Sequence, residues 1–468
     1  GKLTFFGGVG RTGGVQVLYG KGKQAVLFDF GVEHGSLLFP RQRTLYEPVG
    51  ATPGRELRQY LLGGMTAPLF ELYDPEHLKG LDAGRVRWIW GGIESPHYER
   101  ISLFIGHAHT DHVAMLPFAH PDIPVYMNRD AYASYRGLVA GGYFMDTKAQ
   151  ITACDDLSVI DFGEFTMQMI EMDHNATGST GIIIDDGIHK IAYTGDWRRQ
   201  GKHPDRIDRF IELCRKINID LLITEGTRLP PDPSDVPYPI TEKELLSRFE
   251  QIVGEAGGLV YLQMSPWDLE RMADMMAICT GKGRKVAMDA SQAVTWHTAT
   301  RTGLRVLEGH PALGTEIRIV DITVREGMEV PYATISLEEM AEHKSEYVYF
   351  FKFPDLAHII ELECLGDLGH RSHFIRSDYS VKLDHVDVTR FLSTYGITGH
   401  SLSNGGHAHP EAISDMIERI APKAVITLHS YYPESQNTRG VKAYYPKKGE
   451  TVSISSITAG AGSGSASR

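Results

Sequence analysis

Four side chains able to hold a divalent cation fall within six residues: His107, His109, Asp111 and His112, in the order His-x-His-x-Asp-His. Three imidazoles and a carboxylate at that density cannot satisfy one another by hydrogen bonding, and buried polar groups left unpaired are costly. A pair of divalent metal ions answers the demand, and such a pair can turn a shared water into hydroxide near neutral pH. The preceding run Ile101-Ser102-Leu103-Phe104-Ile105 reads as a buried strand opening into a loop and helix, so the cluster would stand at the end of a rigid element. The plainer reading is a polar strand end carrying solvated histidines.

Two ions sharing one water need about three protein ligands each. Ligand-type residues stand at the ends of further predicted strands: His174 in MDHNATGS, Asp196 in YTGDW and His429 after AVITL. Taken singly, His174 reads equally as a turn histidine, Asp196 as a helix N-cap and His429 as a polar strand end. Taken with the first cluster, they complete a ligand set.

The rest of the chain must position that set. Its 468 residues fit two or three domains with ample core, and 42% hydrophobic with 23% charged residues argues against extended disorder. No apolar run approaches the roughly 18–20 residues that span a bilayer, and no signal-peptide pattern opens the chain. Four scattered cysteines, Cys154, Cys214, Cys279 and Cys364, disfavour a disulfide framework and a thiolate metal site, and suit a reducing cytoplasm. The net charge of −12 excludes a general polyanion binder, so any nucleic acid would be drawn by bound metals and a local basic groove.

Segments 3–6, 15–19 and 25–30 read as strands joined by Gly-rich turns. The intervening GVGRTG (8–13) matches a dinucleotide fingerprint, but the next segment alternates like a strand instead of opening a helix, so a β-turn is expected. Residues 34–100, Pro- and Gly-rich and carrying Trp88 and Trp90, are expected to form a long ordered excursion with some helix near the site's mouth. Strands are expected over 158–172, 181–195 and 221–224, with a helix over 205–217. After the Pro-rich stretch 229–239, helices near 245–253 and 267–280 alternate with strands at 259–262 and 285–288, which predicts a parallel sheet.

The order His107-x-His109-x-Asp111-His112, His174, Asp196 resembles the metallo-β-lactamase fold hydrolases. Ile223-Thr224-Glu225-Gly226-Thr227 resembles the acidic motif of the β-CASP nucleases, Gly405-Gly406-His407-Ala408 their general-acid motif, and His429, 22 residues after His407, their late zinc ligand. The similarity is greatest to ribonuclease J and its relatives. It implies an α/β fold, a metallo-β-lactamase αββα sandwich with an inserted β-CASP α/β domain. The expected division is 1–230 for the first part of the sandwich, 231–395 for the insert, 396–457 for the return segment and 458–468 for a flexible tail.

The resemblance further implies two Zn²⁺, with Mn²⁺ as a substitute. One ion would sit on His107, His109 and His174, the other on Asp111, His112 and His429, with Asp196 bridging. Asp111, Glu225 and His407 are the expected catalytic residues: hydroxide attacks a phosphodiester, His407 protonates the leaving oxygen, and Glu225 orients His407 or a ligand. His400, Ser403, Gly405 and Gly406 are the expected substrate contacts. The implied activity is RNA cleavage, exo- or endonucleolytic, in RNA processing or decay, with single-stranded RNA or DNA as partner, no membrane, and homo-oligomers left open. Alternatives are a DNA nuclease of the same superfamily, a small-molecule metallohydrolase, or a non-catalytic scaffold.

The sequence also departs from the pattern. No GSQGEP-like phosphate loop is present, and residues 366–380 are expected to stand in for it. Gly405 replaces the serine before Gly-His-Ala, and 39 residues after His429 are too few for a further C-terminal domain. Lys282, Arg284 and Lys285 read as a basic substrate wall or as a plain exposed face. Ser265-Pro266-Trp267 could open a helix whose N-terminus cradles phosphate.

Overall fold

A computed structural model describes residues 1–32, 51–87, 90, 96–232, 236–352, 356–365, 371–377 and 383–459. Trp88, much of the early excursion, and residues 366–370 and 378–380 of the proposed phosphate-loop substitute lie outside these, as does most of the tail.

Strands with alternating apolar residues build two mixed seven-stranded sheets. The first runs Thr451–Ser453, Lys2–Gly7, Gln16–Lys21, Gln24–Phe28, Arg100–Ile105, Val125–Asn128, Ile151–Cys154. The second runs Lys442–Ala443, Ala424–Leu428, Leu221–Glu225, Lys190–Tyr193, Thr180–Asp185, Thr166–Glu171, Val159–Asp161. Alternation splits each strand between two cores. Leu3, Phe5, Val17 and Phe28 of the first sheet meet Met167, Ile182, Ile223 and Ile426 of the second. Leu18, Leu27 and Leu103 face outward onto helices Glu56–Leu62 and Arg129–Ala140. Ile183, Leu222 and Val425 face outward onto helices Pro204–Lys216 and Pro410–Ile420. The result is the expected helix–sheet–sheet–helix sandwich. GVGRTG is a turn between the antiparallel strands Lys2–Gly7 and Gln16–Lys21, and opens no helix.

The third sheet is wholly parallel: Thr334–Ile335, Ile317–Val320, Lys285–Met288, Tyr347–Phe351, Val260–Met264, His373–Ser377, Thr398–Ser401. Parallel sheets are covered on both faces, which explains continuous buried strands such as YVYFF. Its last strand falls after residue 395, where the return to the sandwich was expected. The lobe is inserted between Leu221–Glu225 and Ala424–Leu428, which pair in parallel within the second sheet. No helix among the described residues is long and apolar enough to cross a membrane.

The lobes dock through helix Arg129–Ala140 against helix Ala290–Thr302. A Cβ at Gly137 would lie 2.5 Å from the Thr295 carbonyl and 3.0 Å from the Ala299 methyl, so the helices approach only because glycine stands there. Gly137→Ala is expected to destabilise the protein by about 1–3 kcal/mol through overpacking. Thermal or urea unfolding measures it, and an unchanged midpoint would mean that the helices part without cost.

Candidate metal centre

Each ligand-type residue leaves a strand end. His107 follows strand Arg100–Ile105, and the short helix Thr110–Val113 carries Asp111 and His112. His174 follows Thr166–Glu171, Asp196 follows Lys190–Tyr193, and His429 follows Ala424–Leu428. The last two strands flank Leu221–Glu225 in parallel, so their C-terminal ends emerge together. His429 turns out at φ +54° while its N–H donates to the Gly8 carbonyl at 2.8 Å. The Gly-rich turn thus seats a ligand-type residue, a role the sequence did not announce.

The structure brings all seven expected ligands together. Nε2 of His107 and Nε2 of His174 lie 3.0 and 3.1 Å from Nδ1 of His109. Nε2 of His429 lies 2.9 Å, and Nε2 of His112 3.7 Å, from Oδ2 of Asp111. Oδ2 of Asp196 stands between the two triads, 3.2 Å from His112 Nε2, 3.6 Å from His429 Nε2 and 3.9 Å from Nε2 of both His107 and His174. Both triads are groups whose ligand atoms could share one ion. His112 Nε2 is buried and has no hydrogen-bond partner, while it faces two carboxylate oxygens. A nitrogen lone pair left open among other donors fits a metal ion, and imidazole with carboxylate suits zinc.

Groups around the centre aim the rings. His174 Nδ1–H donates to the Gly406 carbonyl at 2.5 Å, which leaves Nε2 free to coordinate. His112 Nδ1–H donates to Asp29 Oδ2 at 2.9 Å, an oxygen that also accepts from the Tyr193 hydroxyl at 2.6 Å. Thr227 Oγ1 lies 2.6 Å from His429 Nδ1. Trp267 packs edge-on at 6.0 Å from the His109 ring, its indole N–H donating to the Ala108 carbonyl at 2.7 Å. Asp29 and Thr227 were not singled out as site residues from sequence, and Trp267 only as part of a helix start; for Asp29 the available signal was an acid at the end of a buried strand.

The two triads differ electrostatically. Burial, with neighbouring histidines, holds His107 and His174 well below the usual imidazole range, and burial takes His109 to about 4. Burial also pulls His112 and His429 down, but Asp196 and the neighbouring acids outweigh it and raise both. Burial would raise Asp196, yet His429 and His112 hold it well below the carboxylate range. The first triad therefore gives up its protons readily, while the imidazoles of the second hold theirs more tightly and an ion must displace them.

His407 sits beside the shared carboxylate, Nδ1 3.7 Å from Asp196 Oδ2 and 3.3 Å from Glu225 Oε1. Its ring is 5.1 Å from that of His174 and 5.5 Å from that of His429. Burial depresses this imidazole, but the Glu225 carboxylate more than offsets it and pushes it up to about 9. Glu225 is itself fixed by the backbone N–H groups of Thr227 and Ala408 at 2.9 and 3.0 Å. A Cβ on Gly406 would lie 2.1 Å from Asn175 Oδ1 and 2.9 Å from the His174 ring, so any side chain there would displace one of them. Gly405 and Ser403 belong to the same loop, and the Gly405 carbonyl accepts from Arg198 at 3.4 Å.

Other residues singled out in the sequence lie away from the cluster. His400 lies on the edge strand Thr398–Ser401, stacked on His373 with Nε2 2.8 Å from its Nδ1, and does not join the cluster. Arg284 is buried against the carbonyls of Gly258 and Ala256, and Lys282 and Lys285 pair with Glu250 and Glu346, so the three form no basic wall. The helix after Trp267 starts at Leu269 and is capped by the Asp268 carboxylate, which occupies the place proposed for phosphate.

This geometry makes two outcomes measurable. Zinc titration near pH 7 should release protons mainly with the second ion, whose affinity should climb with pH as His112 and His429 shed their protons. Calorimetry in buffers of different ionisation enthalpy checks this, and proton-free loading of both sites contradicts it. Asp29→Asn should weaken one of the two ions by roughly 10–100-fold in chelator competition, with the protein still folded. Unchanged affinity would remove Asp29 from the account.

No family profile matches the chain. It is 22% identical over 378 residues to ribonuclease J of Mycoplasma genitalium, covering 75% of this chain and 61% of the relative. It is 25% identical over 214 residues to ribonuclease J of Thermus thermophilus, covering 41% of this chain and 35% of that one. The chain thus spans about three fifths of the length of the Mycoplasma relative. A solved protein of unknown function from Enterococcus faecalis superposes over 96% of this chain and 99% of its own, with a TM-score of 0.75 and 21% identity, and so shares the fold. The chain is thus similar to ribonuclease J over three quarters of its length, and shares its sandwich with an inserted parallel lobe with the Enterococcus faecalis protein.

Proposed function

We propose that this chain is a metal-dependent phosphodiesterase that cuts single-stranded RNA, with one zinc ion on His107, His109 and His174, a second on Asp111, His112 and His429, and Asp196 between them. The observation that carries the reading is the His407–Glu225 pair: an imidazole next to the shared carboxylate, tied to a buried acid, and still 23% exposed. Hydrolysis of a small ester needs no such proton donor poised over an open cleft.

Two bound dications would supply an acidified water and neutralise charge on a phosphoryl group. The protein does the rest. His174, His112 and His429 present Nε2 inward because their outer nitrogens are engaged. His407 keeps Nδ1 toward Glu225, which leaves Nε2 to hand a proton to the leaving sugar oxygen. On the inserted-lobe side, Trp267 stands next to the ring of Tyr143 at 5.7 Å, and Lys352 Nζ lies 5.5 Å from that ring. Aromatic rings and a cation beside a metal site suit base stacking and phosphate charge, which supply sequence-tolerant affinity for a single strand.

The deciding assay incubates the protein with end-labelled single-stranded RNA and DNA, 5′-phosphorylated or not, with and without chelator. Chelator-sensitive RNA products are expected. DNA cut in preference to RNA would move the protein to the DNA-nuclease alternative, and intact strands of both kinds would end the reading. His407→Ala should retain its metal and lose about 10²–10⁴ in turnover. Loss of zinc in that variant would make His407 a ligand and not the proton donor.

A further inference from the structure

Two residues after Asp196, the Arg198 side chain is buried, with 3% exposed, and reaches three separate parts of the chain. Its Nε donates to Asp173 Oδ1 at 2.7 Å, directly before His174, and its own backbone N–H donates to the Asp173 carbonyl at 2.7 Å. Its Nη1 donates to the Gly405 carbonyl at 3.4 Å and to Asn404 Oδ1 at 3.5 Å, in the loop whose next residue, Gly406, accepts from His174 and whose following residue is His407. Its Nη2 donates to Asp268 Oδ2 at 3.3 Å and lies 3.7 Å from Glu242 Oε2. Those two acids head helices of the inserted-lobe segment: Asp268 caps Leu269–Gly281, and Glu242 begins Glu242–Glu255.

A neighbouring cation separates holding the lobes together from aiming the ligand. Arg271 binds Glu242 through Nε and Nη2, both at 2.6 Å, and Asn404 at 2.6 Å. It therefore ties the same lobe helices to the same loop, yet Asp173 takes its side-chain bonds from Arg198 and from the His203 backbone. One planar guanidinium spanning a ligand-bearing turn, the proton-donor loop and the inserted lobe moves all three or none, because its fork fixes directions that an ammonium cannot.

We propose that Arg198 is a positioning residue that links the seating of the inserted lobe to the aim of His174 and His407, so that metal held at His107, His109 and His174 and a nucleic-acid strand held by that lobe strengthen each other's binding. This rests on the nuclease reading for the identity of the strand, but not for the metal. Linkage of this kind is reciprocal: whatever seats the lobe must tighten the metal by the same factor.

The test compares Arg198→Lys and Arg198→Met with Arg271→Lys in the full chain. Zinc affinity is read by chelator competition and folding by circular dichroism. Both Arg198 variants should lose roughly 10–100-fold in affinity for one of two ions. Arg271→Lys should lower the unfolding midpoint and leave zinc affinity near the parent value. If removing Arg198 leaves the buried acids unpaired and Arg198→Met does not fold, the double variant Arg198→Met/Asp268→Asn, which relieves one charge, takes its place. Unchanged zinc affinity in folded Arg198 variants overturns the proposal, as does an equal loss in Arg271→Lys.

A second arm adds a short single-stranded phosphorothioate RNA. It should tighten zinc about 5–150-fold in the parent and much less in Arg198→Lys. RNA that binds without tightening zinc overturns the linkage. RNA that does not bind at all fails the nuclease reading instead, while the zinc arm still decides whether Arg198 aims His174.

Discussion

One oxygen atom organises this molecule. Oδ2 of Asp196 has five imidazoles within 4 Å: His112, His429, His407, His107 and His174. Protons satisfy only part of that crowd, because the imidazoles of the first triad are held neutral by burial and by one another. Assembling it draws on strand ends from both sheets of the sandwich and on the loop leading out of the inserted lobe. The face-to-face sheet core, the parallel pairing of Lys190–Tyr193, Leu221–Glu225 and Ala424–Leu428, and the buried acids behind the rings all hold in place an arrangement that is repulsive without cations.

Charge is handled in layers around that oxygen. The chain is acidic as a whole, at −12, yet His407 beside the cluster is 23% exposed, and Trp267 packs against His109 with Tyr143 and Lys352 behind it. Two dications would outweigh the carboxylates of Asp111 and Asp196 and give the mouth a positive field, while the outer surface repels polyanions in general. Behind the site, Asp173, Glu242 and Asp268 are neutralised by Arg198 and Arg271, so that burying them does not work against the lobe contact.

What the sequence disclosed obeys a simple division. Ligands of a dense site are constrained in type and local spacing, so His107 through His112 stood out at once, and the strand-end residues His174, Asp196 and His429 could be gathered to them. Alternation and helical spacing similarly marked the strands and the helix Pro204–Lys216. The supporting groups escaped because nothing local constrains them. Asp29 meets His112 across eighty-three residues, Thr227 meets His429 across two hundred and two, and Arg198 looks in sequence like any loop arginine. The same blindness applied to Arg284, whose suggestive side chain is turned toward backbone carbonyls. The strand order of that sheet was equally hidden, since parallel neighbours are set by crossover direction and not by pattern.

The pairing of Leu221–Glu225 with Ala424–Leu428 has a consequence for biogenesis. Every residue of the inserted lobe is translated between these two neighbours, and His429 emerges after it. A nascent chain on the ribosome can assemble His107, His109, His174 and Asp196 while Asp111 and His112 still lack their third companion and His407 has yet to be made. Domains tend to fold in the order they are synthesised, and long-range pairings close last. An unfinished polypeptide would thus bring together only the first of the two candidate triads until Ala424–Leu428 pairs with Leu221–Glu225.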